Sequence, residues 1–454
     1  MSRLRSTLIH LKDKYYHRSE IQKCRRILDE HERRPAADQF AKQKERLAKL
    51  LTRAANEVPY YRDMFRELGF EENADGLIRD YHQIPFLTRQ LIRENFDRLK
   101  NHNLNDYRWF LNKTGGSTGE PLLFIQDWDY SDFNMAMTQK QFCWAGERDD
   151  NTHVKLWGSQ DDILRGSLGL KARMSNWLYK TVILNSFCMT TTDMQNYVDI
   201  IQNKTPVLIE AYADSAYELS SYINQRSISM AGLTGVMTSA GTLFPFMRAE
   251  IEKAFRCKVF NRYGSREMGA MACEKESGKG LYVSTYTHFI EVVNEKGDHC
   301  EPGEEGEIIV TCLTNHVFPL IRYRIGDRGI VRVVFNDQVD SCFVLENVSG
   351  RVTDSFVRRD GTVISSAFFI HFLGVVFNSG WLEKVQIIQR DYELVEVKMV
   401  VSLQPAPSDL SDLRTTIQKV MGKNCEVVFD LVDEIPKLSS GKYQYTKTLV
   451  RKDS

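Results

Sequence analysis

The segment Lys113-Thr-Gly-Gly-Ser-Thr-Gly-Glu-Pro121 places three glycines and three hydroxyl side chains within eight positions. Such a stretch makes a poor helix or strand. It can turn tightly and offer backbone N–H groups and hydroxyls to an anion, for which polyphosphate is the natural candidate. A plain polar surface loop is the competing reading. A nucleotide loop of the G-x-x-x-x-G-K-[ST] kind is excluded, because Leu122 and Leu123 stand after Pro121 where that arrangement needs lysine and a hydroxyl.

Four further segments follow in order. Arg262-Tyr-Gly-Ser-Arg-Glu-Met-Gly269 offers an aromatic face, a glycine turn and the carboxylate of Glu267. Ile321-Arg-Tyr-Arg-Ile-Gly-Asp-Arg328 sets one acid, Asp327, among bases. Gly350-Arg-Val-Thr-Asp354 lies where the texture of the chain changes, and Ile435-Pro-Lys-Leu-Ser-Ser-Gly-Lys442 carries a lysine on a Gly/Ser loop. Each residue has a bland alternative. Tyr263 could be core, Glu267 could pair with Arg262 or Arg266, Asp327 could be an ion pair, Lys442 could be solvated, and Arg351 could brace a linker.

The five segments and their order resemble the adenylate-forming superfamily of acyl-CoA ligases, peptide-synthetase adenylation domains and luciferases. Within it, the wording is most similar to the phenylacetate–CoA ligase branch and its capsular polysaccharide (CapK-like) subgroup. The resemblance implies ATP and Mg²⁺ as cofactors. Thr114, Ser117, Thr118 and Gly119 would hold the β- and γ-phosphates. Ser239, Ala240 and Gly241 would border adenine, and Tyr263, followed by Gly264 and Ser265, would stack on it. Glu267 would hold Mg²⁺, Asp327 the ribose hydroxyls, and Arg351 ribose or phosphate. Lys442 would reach the α-phosphate and the substrate carboxylate, and a hinge would fall at Thr353 or Asp354. Trp157 and Gly158 stand where relatives line the acyl pocket, although a core tryptophan reads equally well.

The implied reaction suits these residue types. When a carboxylate attacks the α-phosphorus and pyrophosphate leaves, negative charge builds on several oxygens at once. Catalysis is then positioning and charge neutralisation. The expected activity is activation of a carboxylic acid, aromatic acids being the family analogy, to acyl-AMP, then acyl transfer to a thiol such as coenzyme A. An amide synthetase or carrier-protein-loading enzyme is the alternative, with an amine or carrier acceptor. A non-catalytic assembly protein on the same fold is the second, and a kinase, which would release ADP, is a weaker third. The sequence names neither acid nor acceptor.

Two departures from the family pattern stand out. Arg266 occupies a position usually held by a hydroxyl, which Ser265 could replace, and Thr353 stands where Asp or Lys is usual. Cys273, Cys300, Cys312, His288, His299 and His316 could suggest zinc, but their spacing matches no standard ligand pattern, and isolated buried cysteines are the better account.

The elements that must position these groups are legible in outline. Short apolar runs alternate with amphipathic segments from about residue 80 to 330, which predicts a layered α/β domain rich in parallel sheet. The expected organisation is an N-terminal helical segment over 1–80, a large α/β domain over 81–350 and a small α+β lid over 351–454. In the lid, Asp360-Gly361 reads as a hairpin turn and Ser408 as the cap of a helix over 409–421. Residues 1–60 carry 15 Lys/Arg against 8 Asp/Glu. Over 36–58, Phe40, Leu47, Leu50 and Leu51 share one helix face, which reads as packing on the main body, with partner or membrane docking as the alternative.

In its 454 residues, 60 basic side chains balance 60 acidic ones, so there is no overall electrostatic case for nucleic acid. Nine dispersed cysteines without a C-x-x-C pair argue against a disulfide scaffold, and no run reaches membrane-spanning length. A cytoplasmic protein is expected, with a homodimer left open.

Overall fold

The computed structural model describes residues 20–71, 73–114, 122–147, 152–157, 180–186, 189–230, 232–335, 341–351, 356–360, 363–364, 369, 381–436 and 444–450. The sequence calls on Ser117, Thr118, Gly119, Gly158, Thr353, Asp354 and Lys442 lie outside these residues.

The strands are β1 (Trp109–Lys113), β2 (Leu123–Asp127), β3 (His153–Trp157), β4 (Thr181–Asn185), β5 (Leu208–Tyr212), β6 (Gly235–Ser239), β7 (Lys258–Ser265), β8 (Gly269–Glu274), β9 (Leu281–Val283) and β10 (His288–Val293). They continue with β11 (Glu305–Cys312), β12 (Tyr323–Phe335), β13 (Ser341–Arg351), β14 (Phe356–Val357), β15 (Val363–Ile364), β16 (Leu382–Asp391), β17 (Leu394–Val401), β18 (Glu426–Leu431) and β19 (Thr446–Thr448).

Eleven strands form one sheet in the order β10-β11-β12-β13-β9-β8-β7-β6-β5-β3-β4. From β4 to β7 the pairings are parallel. From β7 to β10 they are antiparallel. β7 is therefore the seam between two kinds of sheet. In the parallel half the chain runs from β3 outward to β4 and returns to place β5 on the other side of β3, so the strand order reverses at β3, the kind of position beside which open α/β sheets bind ligands.

Helices Thr191–Lys204, Ala213–Gln225 and Pro245–Phe255 follow β4, β5 and β6. Their apolar side chains pack with Val154, Leu156, Ile209, Ala211, Val236 and Val259 on one face of the sheet. The other face carries Leu208, Met237 and Phe260 beside Phe142 and Trp144, from the helix Trp128–Trp144. The period-two alternation of β5 thus serves two cores.

The N-terminal stripe packs inward. Leu47, Leu50 and Leu51 are fully buried in the main core, each worth about 1.5–3 kcal/mol. Arg46 and Gln43 on the same helix donate to the Leu313 and His288 carbonyls. This face is consumed by packing. Val58 is extended and Pro59 opens the next helix, as expected of a pre-proline residue.

A four-stranded sheet, β18-β17-β16-β19, and the helix Pro407–Met421 form a separate C-terminal core. Here the cap expectation is corrected. The helix begins at Pro407 with Ala406 at the cap, and Ser408 lies inside it. Proline at the first helical position is pre-set for the helix, and Asp409 reaches back to accept from the Ala406 N–H at 2.9 Å.

Candidate active site

Three carboxyl-terminal strand ends meet in register: Trp157 of β3 lies beside Tyr212 of β5, which pairs with Ser239 of β6. The Trp157 and Tyr212 rings pack on each other at the ends of β3 and β5, with centroids 4.1 Å apart at 37°. Next to Ser239, Ala240 adopts φ +62°, a left-handed backbone costly for a residue with a Cβ. It turns the chain out of β6, and at Gly241 a Cβ would come within 3.7 Å of the Asp214 carboxylate.

At the seam strand, Tyr263 is nearly buried, and its hydroxyl donates to Asp327 Oδ2 at 2.8 Å. Asp327 belongs to β12, where its backbone pairs with Arg351. The arginines flanking Asp327 are engaged elsewhere, Arg324 with Glu307 at 3.0 Å and Arg328 with Glu305 at 3.4 Å. Asp327 is thus joined to Tyr263, and its neighbours in sequence are not its ion-pair partners.

Gly264 is required by a close approach: a Cβ there would meet the Gly269 carbonyl oxygen at 2.5 Å, inside the β7–β8 hairpin. The hairpin turn presents Glu267. Ser265 Oγ closes that turn by accepting from the Met268 N–H at 3.1 Å, and Arg266 is exposed. Gln126 of β2 donates to the carbonyls of Arg266 and Glu267 at 3.0 and 3.3 Å. β1 and β2 pair through Lys113 and Leu123, so the hairpin bearing the Gly/Ser/Thr segment is tied directly to the Glu267 turn. At the base of that segment, Thr114 Oγ1 accepts from the Leu122 N–H at 2.9 Å, which fixes where the loop departs.

Glu267 is buried. Its Oε1 accepts from the Tyr323 hydroxyl at 3.3 Å and faces Arg89 Nη2 at 3.4 Å. Arg89 Nε also donates to the Tyr323 oxygen at 3.3 Å. The pairing of Glu267 with Arg262 or Arg266 does not occur. Arg262 goes instead to Glu210 at 3.0 Å. Burial and the Glu267 charge push the Tyr323 phenol up, so it stays a donor. Arg89 reaches this place because Leu87 exchanges backbone hydrogen bonds with Arg322 and Arg324, at 3.0 and 2.9 Å, across a bridge to Tyr323.

Two residues before Tyr212, Glu210 of β5 is buried between Arg262 and Lys155 Nζ, the latter at 3.3 Å. Burial alone would raise its pKa, but Lys155, Arg262 and His153 outweigh it and hold the carboxyl below the usual range. Lys155 also lies over the Trp157 ring, 4.7 Å from its centroid. Sequence reasoning missed Arg89, Gln126, Lys155 and Glu210. None lies in a motif, and only the strand register could have found the last two.

Cys273, Cys300 and Cys312 are buried and free, as the reading of isolated buried cysteines expected. His288 is buried, with its ring nitrogens 2.9 Å from Thr287 Oγ1 and 2.7 Å from the Met268 carbonyl oxygen. No cysteine joins a group of three potential ligands among the described residues, and their eight cysteines are free.

The small lobe touches this region through Tyr445, three positions beyond Lys442. Its ring lies 6.4 Å from Phe244, which precedes the helix after β6.

Comparison with known proteins agrees with this layout. The family described as CapK C-terminal domain matches residues 356–448. Protein CapK of Staphylococcus aureus is 23% identical over 398 residues, covering 84% of each chain. A phenylacetate–coenzyme A ligase of Escherichia coli is 25% identical over 422 residues, covering 88% of this chain and 93% of its own. A 2-hydroxyisobutyryl-CoA ligase in the postadenylation state, in complex with R3-HIB-AMP, superimposes with a TM-score of 0.69 at 18% identity, over 92% of this chain and 91% of its own. The same ligase in the thioesterification state gives 0.56. The resemblance read from the five segments is borne out, and so is the fold: a large mixed sheet with a smaller sheet domain, as in adenylate-forming CoA ligases.

Proposed function

We propose that this chain, an acid–thiol ligase of the adenylate-forming kind, activates a carboxylic acid with ATP as acyl-AMP and pyrophosphate, then passes the acyl group to coenzyme A. The observation that carries the reading is the seam at β7. Its Tyr263 is joined to Asp327 on one side, and its hairpin turn presents Glu267, tied to the phosphate-loop hairpin, on the other. Strand ends bearing Trp157, Tyr212 and Ser239 open beside it. A nucleoside, a phosphate chain and an acid need three such adjoining places.

In this reading Tyr263 stacks on adenine, bordered by Ser239, Ala240 and Gly241, and Asp327 accepts from paired ribose hydroxyls. Ser117, Thr118 and Gly119 cradle the outer phosphates, and Thr114 anchors that loop. Arg89, partly exposed beside Glu267, adds a cation that sequence reasoning did not supply. The Glu267 carboxylate is a hard oxygen ligand of the kind Mg²⁺ takes together with phosphate oxygens, and there the ion would neutralise phosphate charge. Trp157 and Tyr212 wall the acid pocket. Lys442 reaches the α-phosphate and the carboxylate, and the lid pivots at Thr353 or Asp354 for the second step. The contact of Tyr445 with Phe244 and the closer match to a postadenylation structure support the lid's lying over the nucleotide in the first step.

The test is product analysis with ATP, a panel of acids (aromatic acids first), and coenzyme A, a carrier protein or an amine as acceptor. AMP and an acyl-CoA thioester are expected. ADP would refute adenylation, and an exclusive amide or carrier product would refute the coenzyme A assignment. Lys442→Ala should suppress carboxylate-dependent pyrophosphate exchange while ATP still binds. Unchanged exchange would remove that lysine from the reaction.

A further inference from the structure

On the side of the sheet beyond Arg322, three potential ligands from separate parts of the chain converge. His82 lies on the single turn Tyr81–Gln83, Glu291 in the middle of β10, and His299 at a bridge to Val293 just before β11. Glu291 is fully buried, whereas the two imidazoles are partly open to solvent.

The oxygens of Glu291 are nearly fully used. Oε2 accepts from Arg322 Nε at 3.2 Å and the Tyr81 hydroxyl at 2.9 Å, and Oε1 accepts from Arg322 Nη2 at 2.9 Å. A carboxylate has about four acceptor directions, so one on Oε1 is left. Both imidazoles face that oxygen, His299 Nε2 at 3.5 Å and His82 Nδ1 at 3.8 Å. These separations are too long for good hydrogen bonds. The same two nitrogens lie 3.1 Å apart, within hydrogen-bond distance when one of them carries a proton, with the rings edge to face, so a metal ion would displace that shared proton.

The three atoms thus form a triangle with sides of 3.1, 3.5 and 3.8 Å. Around a tetrahedral ion held at about 2.1 Å, neighbouring ligand atoms stand roughly 3.4 Å apart. A triangle of that size, with its outward side toward solvent, matches three ligands plus one open position.

We propose that His82, Glu291 and His299 bind a divalent transition-metal ion of the zinc class. Two imidazoles and a carboxylate favour Zn²⁺ over the Mg²⁺ of nucleotide chemistry, and no cysteine is needed. The ion fastens the turn Tyr81–Gln83 to the β10–β11 hairpin. It also bears on Arg322, which holds a left-handed backbone at φ +48° immediately before Tyr323. Because Arg322 already neutralises Glu291, the ion adds net positive charge, and binding is weaker than in a closed cysteine site.

The test uses full-length protein treated with chelator, then Zn²⁺ or Co²⁺ alone. One Zn²⁺ per chain is expected, with a rise in melting temperature. The Co²⁺ form should show visible bands of low coordination number without a thiolate charge-transfer band. His82→Gln and His299→Gln should each weaken Zn²⁺ binding about tenfold or more, and the double variant should abolish the thermal response. Metal-free melting temperatures matching the parent would show that the variants fold. No Zn²⁺ retained by the parent, an unchanged response in the double variant, or a thiolate band would each overturn the proposal.

Discussion

Replacing Tyr263 by phenylalanine removes one oxygen and keeps the ring. The lost contact is a 2.8 Å hydrogen bond to a carboxylate. Hydrogen bonds to charged groups contribute about 1.5–3 kcal/mol. Asp327 is only half buried, so water recovers part of this, which leaves about 1–1.5 kcal/mol. If the bond holds Asp327 ready for the ribose, the loss falls equally on bound ATP and on the transition state. KM for ATP should rise roughly 5- to 12-fold with kcat nearly unchanged. Initial-rate kinetics at saturating acid measure both. Tyr263→Ala should cost more, since stacking on a base is worth about 1–3 kcal/mol, and its melting temperature must be checked because the ring also belongs to the core. An ATP KM within twofold of the parent in Tyr263→Phe, or a fall in kcat alone, would refute this reasoning.

Other perturbations separate site from scaffold. Glu267→Gln should lower pyrophosphate exchange at least about a hundredfold and raise the Mg²⁺ needed, with little change in melting temperature, since the amide oxygen can still accept from Tyr323. Arg322→Met leaves Glu291 buried without its cation and should cost about 3–5 kcal/mol in urea unfolding. Acid should destabilise the fold. Burial above all, aided by nearby arginines for His31 and His316, lowers the pKa of His31 and His288 to about 4 and of His316 to about 3. The stability these neutral rings contribute is complete above pH ~6.5 and is lost as pH falls toward those values, about 2 kcal/mol each by pH 5. Asp127 acts oppositely, because burial raises it to about 6 and its protonation on acidification returns about 1 kcal/mol. Urea midpoints from pH 8 to 5 should therefore fall, less steeply in His288→Gln.

The parallel half of the sheet was readable because each apolar run is followed by an amphipathic helix, as with Leu208–Tyr212 and Ala213–Gln225. The Tyr263, Glu267 and Asp327 segments were readable because their types announce their chemistry. Their partners were not. Arg89 lies 178 positions from Glu267 and meets it only through the Leu87 bridge. Lys155 and Arg262 meet Glu210 through strand register, and His82 meets Glu291 across a turn that no periodicity marks. Ser408 was a sound cap by residue type, but Pro407 set the helix start instead.

The proposed first step is reversible transfer of an adenylyl group to a carboxylate. Incubation of the protein with ATP, Mg²⁺, labelled pyrophosphate and single acids, without any acceptor, tests it most directly. Label should enter ATP only when a suitable acid is present, and Glu267→Gln should abolish this entry. Label entering ATP without acid, or turnover to ADP and phosphate with no exchange under any acid, would contradict it.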